Sequence, residues 1–326
     1  MRPIAEFHLL RPTTVAEAAT LLQRPGARLV AGGTDLLPNL RRGLLDPRCL
    51  IDLGSMPGFD AVELHAGHWR LGAGATLATL ERHAGLAQAL PALTQAAAQV
   101  AGPGHRSAAT LGGNLCQDTR CVFYNQSAWW RAANHGCLKY EGDTCHVAPQ
   151  GQHCHAAYQG DLAAPLLLAY GAEVEIVGTE ARYRRPLAGL YRDDGAAHLT
   201  LRPCEVVAAV YVPAPLPGTA SAYRKLRLRG AMEFPLAGVA VALRLEGGVL
   251  AELAVGLTGT NSLPLRLEGT ETLLGHAVDG TLLETLGKLV RKQVSPMRST
   301  VTPSNHRRLV AVAAAQRLVR ELARQA

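Results

Sequence analysis

Between residues 117 and 156 the chain loses the apolar periodicity that marks helices and strands elsewhere in it. The stretch gathers four cysteines, four of the 12 histidines and two of the three tryptophans. About forty residues without regular structure cannot sit inside a compact domain unless something besides apolar packing holds them. A metal centre is the natural candidate. Of the chain's seven cysteines, Cys49 and Cys204 stand alone and read as small buried hydrophobes. The other five, Cys116, Cys121, Cys137, Cys145 and Cys154, contain no C-x-x-C pair, so zinc-ribbon and bacterial ferredoxin spacings are absent. Soft sulfur ligands suit zinc and an iron–sulfur cluster equally, and spacing alone leaves the metal open. His135, His146, His153 and His155 read either as substitutes for a thiolate or as solvated loop residues. Phe123, Tyr124, Trp129 and Trp130 are candidates to shield such a site from water.

Regular structure frames this segment. A helix over Val15–Leu22, capped by Thr13 or Thr14, stops at Pro25-Gly26, and short strands are expected at Arg28–Ala31 and Leu50–Leu53 with helical spacing between them. A second unit carries a strand at Trp69–Ala73, a helix from Thr76 to His83, an Ala-rich helix at Ala92–Val100 begun by Pro91, and an extended Ala109–Leu111. Helix Asp161–Ala169 and strand Glu173–Val177 follow the cysteine stretch. Pro213, Pro215, Pro217 and Gly218 mark a linker. Beyond it, strands Gly238–Leu245 and Leu250–Leu257 form a hairpin at Glu246-Gly247-Gly248, and helices Leu282–Val294 and Arg308–Ala323 close the chain.

Two loops carry paired glycines: Ala31-Gly32-Gly33-Thr34-Asp35-Leu36 and Thr110-Leu111-Gly112-Gly113-Asn114-Leu115. Each is expected to follow a strand. Paired glycines let successive backbone N–H groups face one concavity, and without Cβ atoms a bulky anion can approach closely. The plainer reading is two tight turns. Rival phosphate motifs are missing: Gly72-Ala73-Gly74 lacks the third glycine of a Rossmann fingerprint, and no P-loop occurs.

Charge and hydropathy exclude other classes. The net charge of +7 is spread in short pairs such as Arg41–Arg42, with no basic block or aromatic-interleaved stripe of the kind that binds nucleic acid. No apolar run reaches the roughly 18–20 residues of a membrane span, and the first residues lack the apolar core of a secretory signal. A cytoplasmic location is expected, where clustered thiols serve as metal ligands or redox groups more often than as disulfides.

LVAGGTDLLP at 29–38 and ATLGGNL at 109–115 resemble the FAD-binding subunit of the molybdenum hydroxylases, the xanthine and carbon monoxide dehydrogenase family. FHLLRPTTVAEAATLL, RLGAGATLATLE, GDLAAPLLLAYGAEVEI, and Tyr223-Arg224-Lys225 followed by EFPLAGVAVAL extend the resemblance over nearly the whole chain. It implies an α+β fold: a two-part FAD-binding domain of the PCMH type (1–55 and 56–212) with the cysteine-rich insertion at 117–156, then a small α+β domain at 218–326. Leu29, Val30, Ala31, Gly32, Gly33, Thr34, Asp35 and Leu36 would wrap the FAD pyrophosphate, met by Thr110, Gly113 and Asn114 from the second loop. Asp161 would hold ribityl or ribose hydroxyls, or else cap the following helix; Lys225 would sit near the flavin, or else lie on the surface. Gly102 and Gln117 are carried over on weaker matches. The family also implies a large molybdopterin subunit and a small [2Fe–2S] subunit as partners.

The insertion is where the chain departs from ordinary members, which pass almost directly from GGNL to GDLAP. LCQDTRCVFYNQSAWW and CLKY are similar to an insertion in the 4-hydroxybenzoyl-CoA reductase branch. That similarity implies a [4Fe–4S] cluster on Cys121, Cys137, Cys145 and Cys154, with Cys116 left to pack. It further implies reductive dehydroxylation of 4-hydroxybenzoyl-CoA, with electrons entering from an external donor such as ferredoxin. The alternative is a FAD subunit for aldehyde, purine or CO oxidation whose loop binds structural zinc. On either reading the insertion is expected to stand apart from the flavin domain's core, and no catalytic residue is expected in this chain.

Overall fold

Thr14, in extended conformation, accepts the Glu17 amide at 3.1 Å and so starts α1 (Val15–Leu21), whose Ala18 and Ala19 are buried. The computed structural model describes residues 4–168 and 171–325. Around α1, strands β1 (His8–Leu10) and β2 (Ala27–Val30) lie parallel to a central β3 (Cys49–Asp52), with α2 (Leu36–Arg41) between β2 and β3.

The second sheet is antiparallel, in the order β4 (Val62–His65), β5 (His68–Gly72), β8 (Val206–Pro213), β6 (Glu173–Val177), β7 (Arg182–Pro186). Between β5 and β6 run α3 (Leu77–Arg82), α4 (Ala84–Ala89), α5 (Pro91–Gln99), α6 (Pro103–Arg106), α7 (Leu111–Leu115), α8 (Ala128–Ala133) and α9 (Ala163–Leu168). The expected end of α9 at Ala169 lies outside the described residues. Ala18 and Ile51 share one hydrophobic core with Leu71, Leu162 and Val174, so the first two units are packed as one body.

The last unit is an antiparallel sheet ordered β12 (Leu265–Arg266), β11 (Val249–Thr258), β10 (Ala237–Glu246), β9 (Ala220–Leu226), covered by α10 (Gly280–Gln293) and α11 (Ser304–Ala323). Gly247 and Gly248 both take positive φ, +57° and +82°, which the two-residue β10–β11 turn requires. Val239, Val241, Val255 and Leu257 face α10 and α11. Ala240 and Ala254 on the opposite face meet Ala92 and Ala96 of α5 and Ala164 of α9. Small residues let this seam close tightly: a Cβ on Gly256 would lie 2.2 Å from the Ala164 carbonyl oxygen. Strands β8 and β9 add to those expected; β8 is an apolar, β-branched run buried between β5 and β6.

None of the residues of the core shared by the first two units comes from 117–156: the insertion packs in a small cluster of its own and is tied to both neighbours. Its one helix, α8, is capped by Ser127, whose Oγ accepts from the Trp130 amide at 3.2 Å. Its apolar contacts are few: Cys121, Tyr124, Cys154 and Ala156 pack with Leu44 of the first unit. Polar ties do the rest. Buried Arg131 donates to the Gly43 carbonyl at 3.0 Å and to that of Gln126, with its guanidinium 4.5 Å from the Tyr140 ring centre. The Lys139 ammonium donates to Asp118 Oδ1 at 2.6 Å and the Gly195 carbonyl at 2.9 Å. Val122 N donates to the Ser299 carbonyl at 2.8 Å, and Ser262 Oγ to that of Cys154 at 3.3 Å, joining the insertion to the last unit as well. With so little apolar surface of its own, the segment borrows carbonyls from both neighbours.

Candidate functional site

Residues from all three units converge on one cavity of about 550 Å³. Its volume lies in the usual range for cofactor and ligand sites, roughly 300–1,000 Å³. Leu29 to Leu36 line it from the end of β2; Thr110, Gly113, Asn114 and Gln117 line it from the second loop; Asp161 and Lys225 close another side. Every flavin-contact residue expected from the resemblance is there except Gly102, which lies outside the lining. Gly102 is the residue before α6, where a short helix beginning with Pro103 needs an extended neighbour.

The second glycine pair does not follow a strand. Thr110 makes a single bridge to Thr76, and Gly112 and Gly113 then lie inside α7. Thr110 Oγ1 accepts the Gly113 amide at 3.2 Å, which turns the chain into a helix instead of extending it. The glycines also differ in what they serve. A Cβ on Gly32 would stand 1.9 Å from the Ala108 carbonyl oxygen, so this glycine permits backbone to cross backbone. Gly33 has φ +67°, a left-handed turn. A Cβ on Gly113 would meet only Thr110 Oγ1, at 3.0 Å, leaving that backbone open on the cavity side.

Asp161 and Lys225 are neither a helix cap nor a surface lysine. Their side chains are 3 % and 1 % exposed and form an ion pair at 2.9 Å. Tyr223 Oη donates to the other carboxylate oxygen of Asp161, and Lys225 Nζ also donates to the Gln99 carbonyl at 3.3 Å. Burial pushes the Asp161 carboxyl above its ordinary value, against the pull of Lys225 and Tyr223. The amide after Asp161, that of Leu162, is taken instead by Asn114 Oδ1 at 3.0 Å, so Asn114 spends its oxygen on the start of α9. An ammonium has three donors, and these contacts use two. The open backbone at Gly113, the Lys225 ammonium and the apolar walls from Phe59, Val100 and Val206 fit FAD.

Among the cavity residues not anticipated from sequence are Asn39, Arg120 and Phe234. Arg120 Nη1 donates to Asn39 Oδ1 at 2.9 Å, and Nη2 pairs with Asp35 Oδ1. The carboxylate of Asp35 is therefore engaged by a cation of the insertion. Nothing in the local pattern of R-C or N-L-R signals this; the contact spans more than eighty residues.

The four insertion cysteines form a second focus. Cys121, Cys137, Cys145 and Cys154 line one narrow cavity of about 10 Å³, walled by Phe123, Tyr124, Leu138 and Val147. Neither tryptophan shields it: Trp129 is 77 % exposed, and Trp130 packs against Phe123 at 6.1 Å. His146 and His155 line the same cavity, His146 with Nε2 at 2.7 Å from the Gly136 carbonyl. His135 and His153 are exposed. Among the described residues, no group of three or more His, Cys, Asp or Glu side chains is arranged to hold a single metal ion. All seven cysteines are free. Burial pushes the Cys121 thiol up and that of Cys154 to about 11, which favours their protonated forms; a bound metal would deprotonate them. Four soft sulfurs lining one cavity have the donor chemistry of an iron–sulfur or zinc site, but the cavity would have to rearrange and widen before it could hold either. Cys116 faces the larger cavity, its thiol pushed to about 12 by burial, and packs as expected.

Residues 5–215 match the FAD binding domain in molybdopterin dehydrogenase, and residues 221–322 the CO dehydrogenase flavoprotein C-terminal domain. The aldehyde oxidoreductase FAD-binding subunit of Escherichia coli strain K12 is 34 % identical over 83 % of this chain and 86 % of its own length. The carbon monoxide dehydrogenase medium chain of Afipia carboxidovorans is 27 % identical over 92 % and 91 %. Among solved structures, reconstituted CO dehydrogenase from Oligotropha carboxidovorans superposes with a TM-score of 0.82 at 25 % identity, covering both chains completely.

Proposed function

Because this chain belongs to the FAD-binding subunits of the molybdenum hydroxylases, we propose that it holds FAD in the 550 Å³ cavity and relays electrons within a larger enzyme. FAD, when bound, exchanges electrons singly or in pairs. The chain's own part is to hold it: the glycine loops present backbone, Lys225 presents a cation, and the apolar walls exclude water. The observation that carries this reading is the convergence of both loops, Asp161 and Lys225 on one cavity. Relatives named as a subunit and as a medium chain support working in a complex, with a large molybdopterin subunit and a small iron–sulfur subunit as the partners. Those relatives are named for aldehydes and carbon monoxide, and they favour oxidation of a substrate of that kind on the large subunit. Among the described residues no helix is long and apolar enough to cross a membrane, and a cytoplasmic location accords with seven free cysteines. Purified chain should release FAD on denaturation, one per chain; a folded chain without flavin that takes up none would refute the reading.

A second reading rests on the insertion. Four thiols lining one cavity favour a [4Fe–4S] cluster on Cys121, Cys137, Cys145 and Cys154, and with it the 4-hydroxybenzoyl-CoA reductase branch. In that case an external one-electron donor such as ferredoxin would serve the cluster and electrons would run towards molybdenum, whereas the relatives named above favour the oxidative branch. Iron and acid-labile sulfide in anaerobically purified protein separate the two: four of each per chain support the cluster, and zinc without sulfide supports a structural clip.

A further inference from the structure

The cysteine insertion and the larger cavity meet at Arg120, the residue before Cys121. Its backbone closes the neck of the insertion: Arg120 N donates to the Ala157 carbonyl and Ala157 N to that of Arg120, both at 2.8 Å. Its side chain points the other way, into the wall of the cavity. Nη1 donates to Asn39 Oδ1 at 2.9 Å, Nη2 pairs with Asp35 Oδ1, and the Phe234 ring lies 5.1 Å from the guanidinium carbon. The amide of Asp118, also from the insertion, donates to the second oxygen of Asp35 at 3.3 Å.

The two partners lie in the first glycine loop and in the helix it leads into. Asp35 directly follows Gly32-Gly33-Thr34, and Asn39, 1 % exposed, lies one turn into α2. This loop has little means of holding itself. Its helix has six residues, and the Asp35 side chain caps none of its amides; so short a helix is not stable alone. The carboxylate that would ordinarily serve as cap is given over to the insertion. The tie is also not arranged for stability alone, since Arg120 Nε is buried with no acceptor among the described residues.

We propose that Arg120 is a positioning residue: by gripping Asp35 and Asn39 it sets the first glycine loop, so that FAD affinity depends on the folded insertion. This rests on reading the cavity as FAD's. A chain whose insertion has not formed would then hold FAD poorly, and cofactor binding would report assembly of the cysteine segment.

The test is FAD rebinding to the stripped full-length chain, followed by flavin fluorescence, with far-UV circular dichroism and melting of the flavin-free protein as controls. Arg120→Met and Asp35→Asn should each weaken FAD about tenfold, and the double variant should be no weaker than the worse single one. Arg120→Lys, which keeps the charge but not the fork, should fall between Met and wild type. Affinity within about twofold of wild type in both single variants, or losses that multiply in the double variant, would overturn the inference. Should Arg120→Met fail to fold, Asp35→Asn, nearly isosteric, decides alone. A folded wild-type chain with no FAD affinity would instead overturn the reading of the cavity, and this inference with it.

Discussion

A methyl group added at Gly32 and one added at Gly113 would cost different things, although both glycines face the same cavity. At Gly32 it would strike the Ala108 carbonyl oxygen, a backbone atom that cannot step aside. Gly32→Ala should lower stability by about 3 kcal/mol, seen as a drop in melting temperature before any flavin is added. At Gly113 the methyl meets a side-chain hydroxyl and otherwise the cavity. Gly113→Ala should melt like wild type yet retain less FAD after desalting, and equal retention would remove this backbone from the cofactor site. The Asp161–Lys225 pair makes a separate prediction. Removing one partner leaves a buried charge uncompensated, so Lys225→Met should cost about 3–5 kcal/mol. Asp161→Leu combined with Lys225→Met should regain most of that in denaturant titrations while still failing to bind FAD. Both residues could be named from the sequence. Their mutual contact could not, because they lie 64 positions apart on different elements.

At the scale of elements, the glycine loops show how far local pattern reaches. Gly33 has the positive φ that paired glycines suggest. The second loop is helical because one threonine hydroxyl caps it, a competition between strand and helix that four residues of sequence do not decide. The insertion shows the same limit in a longer segment. Arg131 is almost fully buried and donates to carbonyls at Gln126, Arg42 and Gly43. Arg131→Met should leave those carbonyls unpaired and loosen residues 117–156, read as faster hydrogen exchange there than in α10. His198, packed 5.9 Å from the Tyr158 ring, gives a pH dependence. Burial lowers its pKa from 6.5 to about 4, so between these values the unfolded chain binds more protons than the folded one. Stability present above pH 6.5 should therefore fall as pH drops towards 4, by at most about 3 kcal/mol at roughly 1.4 kcal/mol per unit. His198→Leu should flatten that part of the profile; an unchanged slope would assign it to other groups.

Across the whole molecule, the cavity exists because the last unit docks on the first two through a seam of alanine and glycine. Ala96→Leu on α5 should push β10 and β11 away, costing about 1–3 kcal/mol. Since Lys225 and Phe234 reach the cavity from the far side of that seam, the same variant should also weaken FAD. Loss of stability with unchanged FAD affinity would show that the cavity tolerates a shifted last unit.

Apolar periodicity, the proline-rich linker and the Gly247–Gly248 hairpin are local signals. Together with the family resemblance carried by the two glycine motifs, they pointed to the α+β class, the division near residue 215 and the cavity walls at 29–36, Thr110, Gly113, Asn114, Gln117, Asp161 and Lys225. Periodicity also identified the main helices to within a few residues, since it records which face of an element is buried. It is silent on polar ties between distant segments. The Arg120–Asp35 and Lys225–Asp161 pairs, the helical second loop, the exposed Trp129 and the docking of the insertion on both neighbours were decided only by the tertiary structure. Each depends on desolvation and on partners that are far away in the chain and adjacent in space. A hydrophobic pattern marks what must leave water, but a buried polar group can be placed only when its partner's position is known.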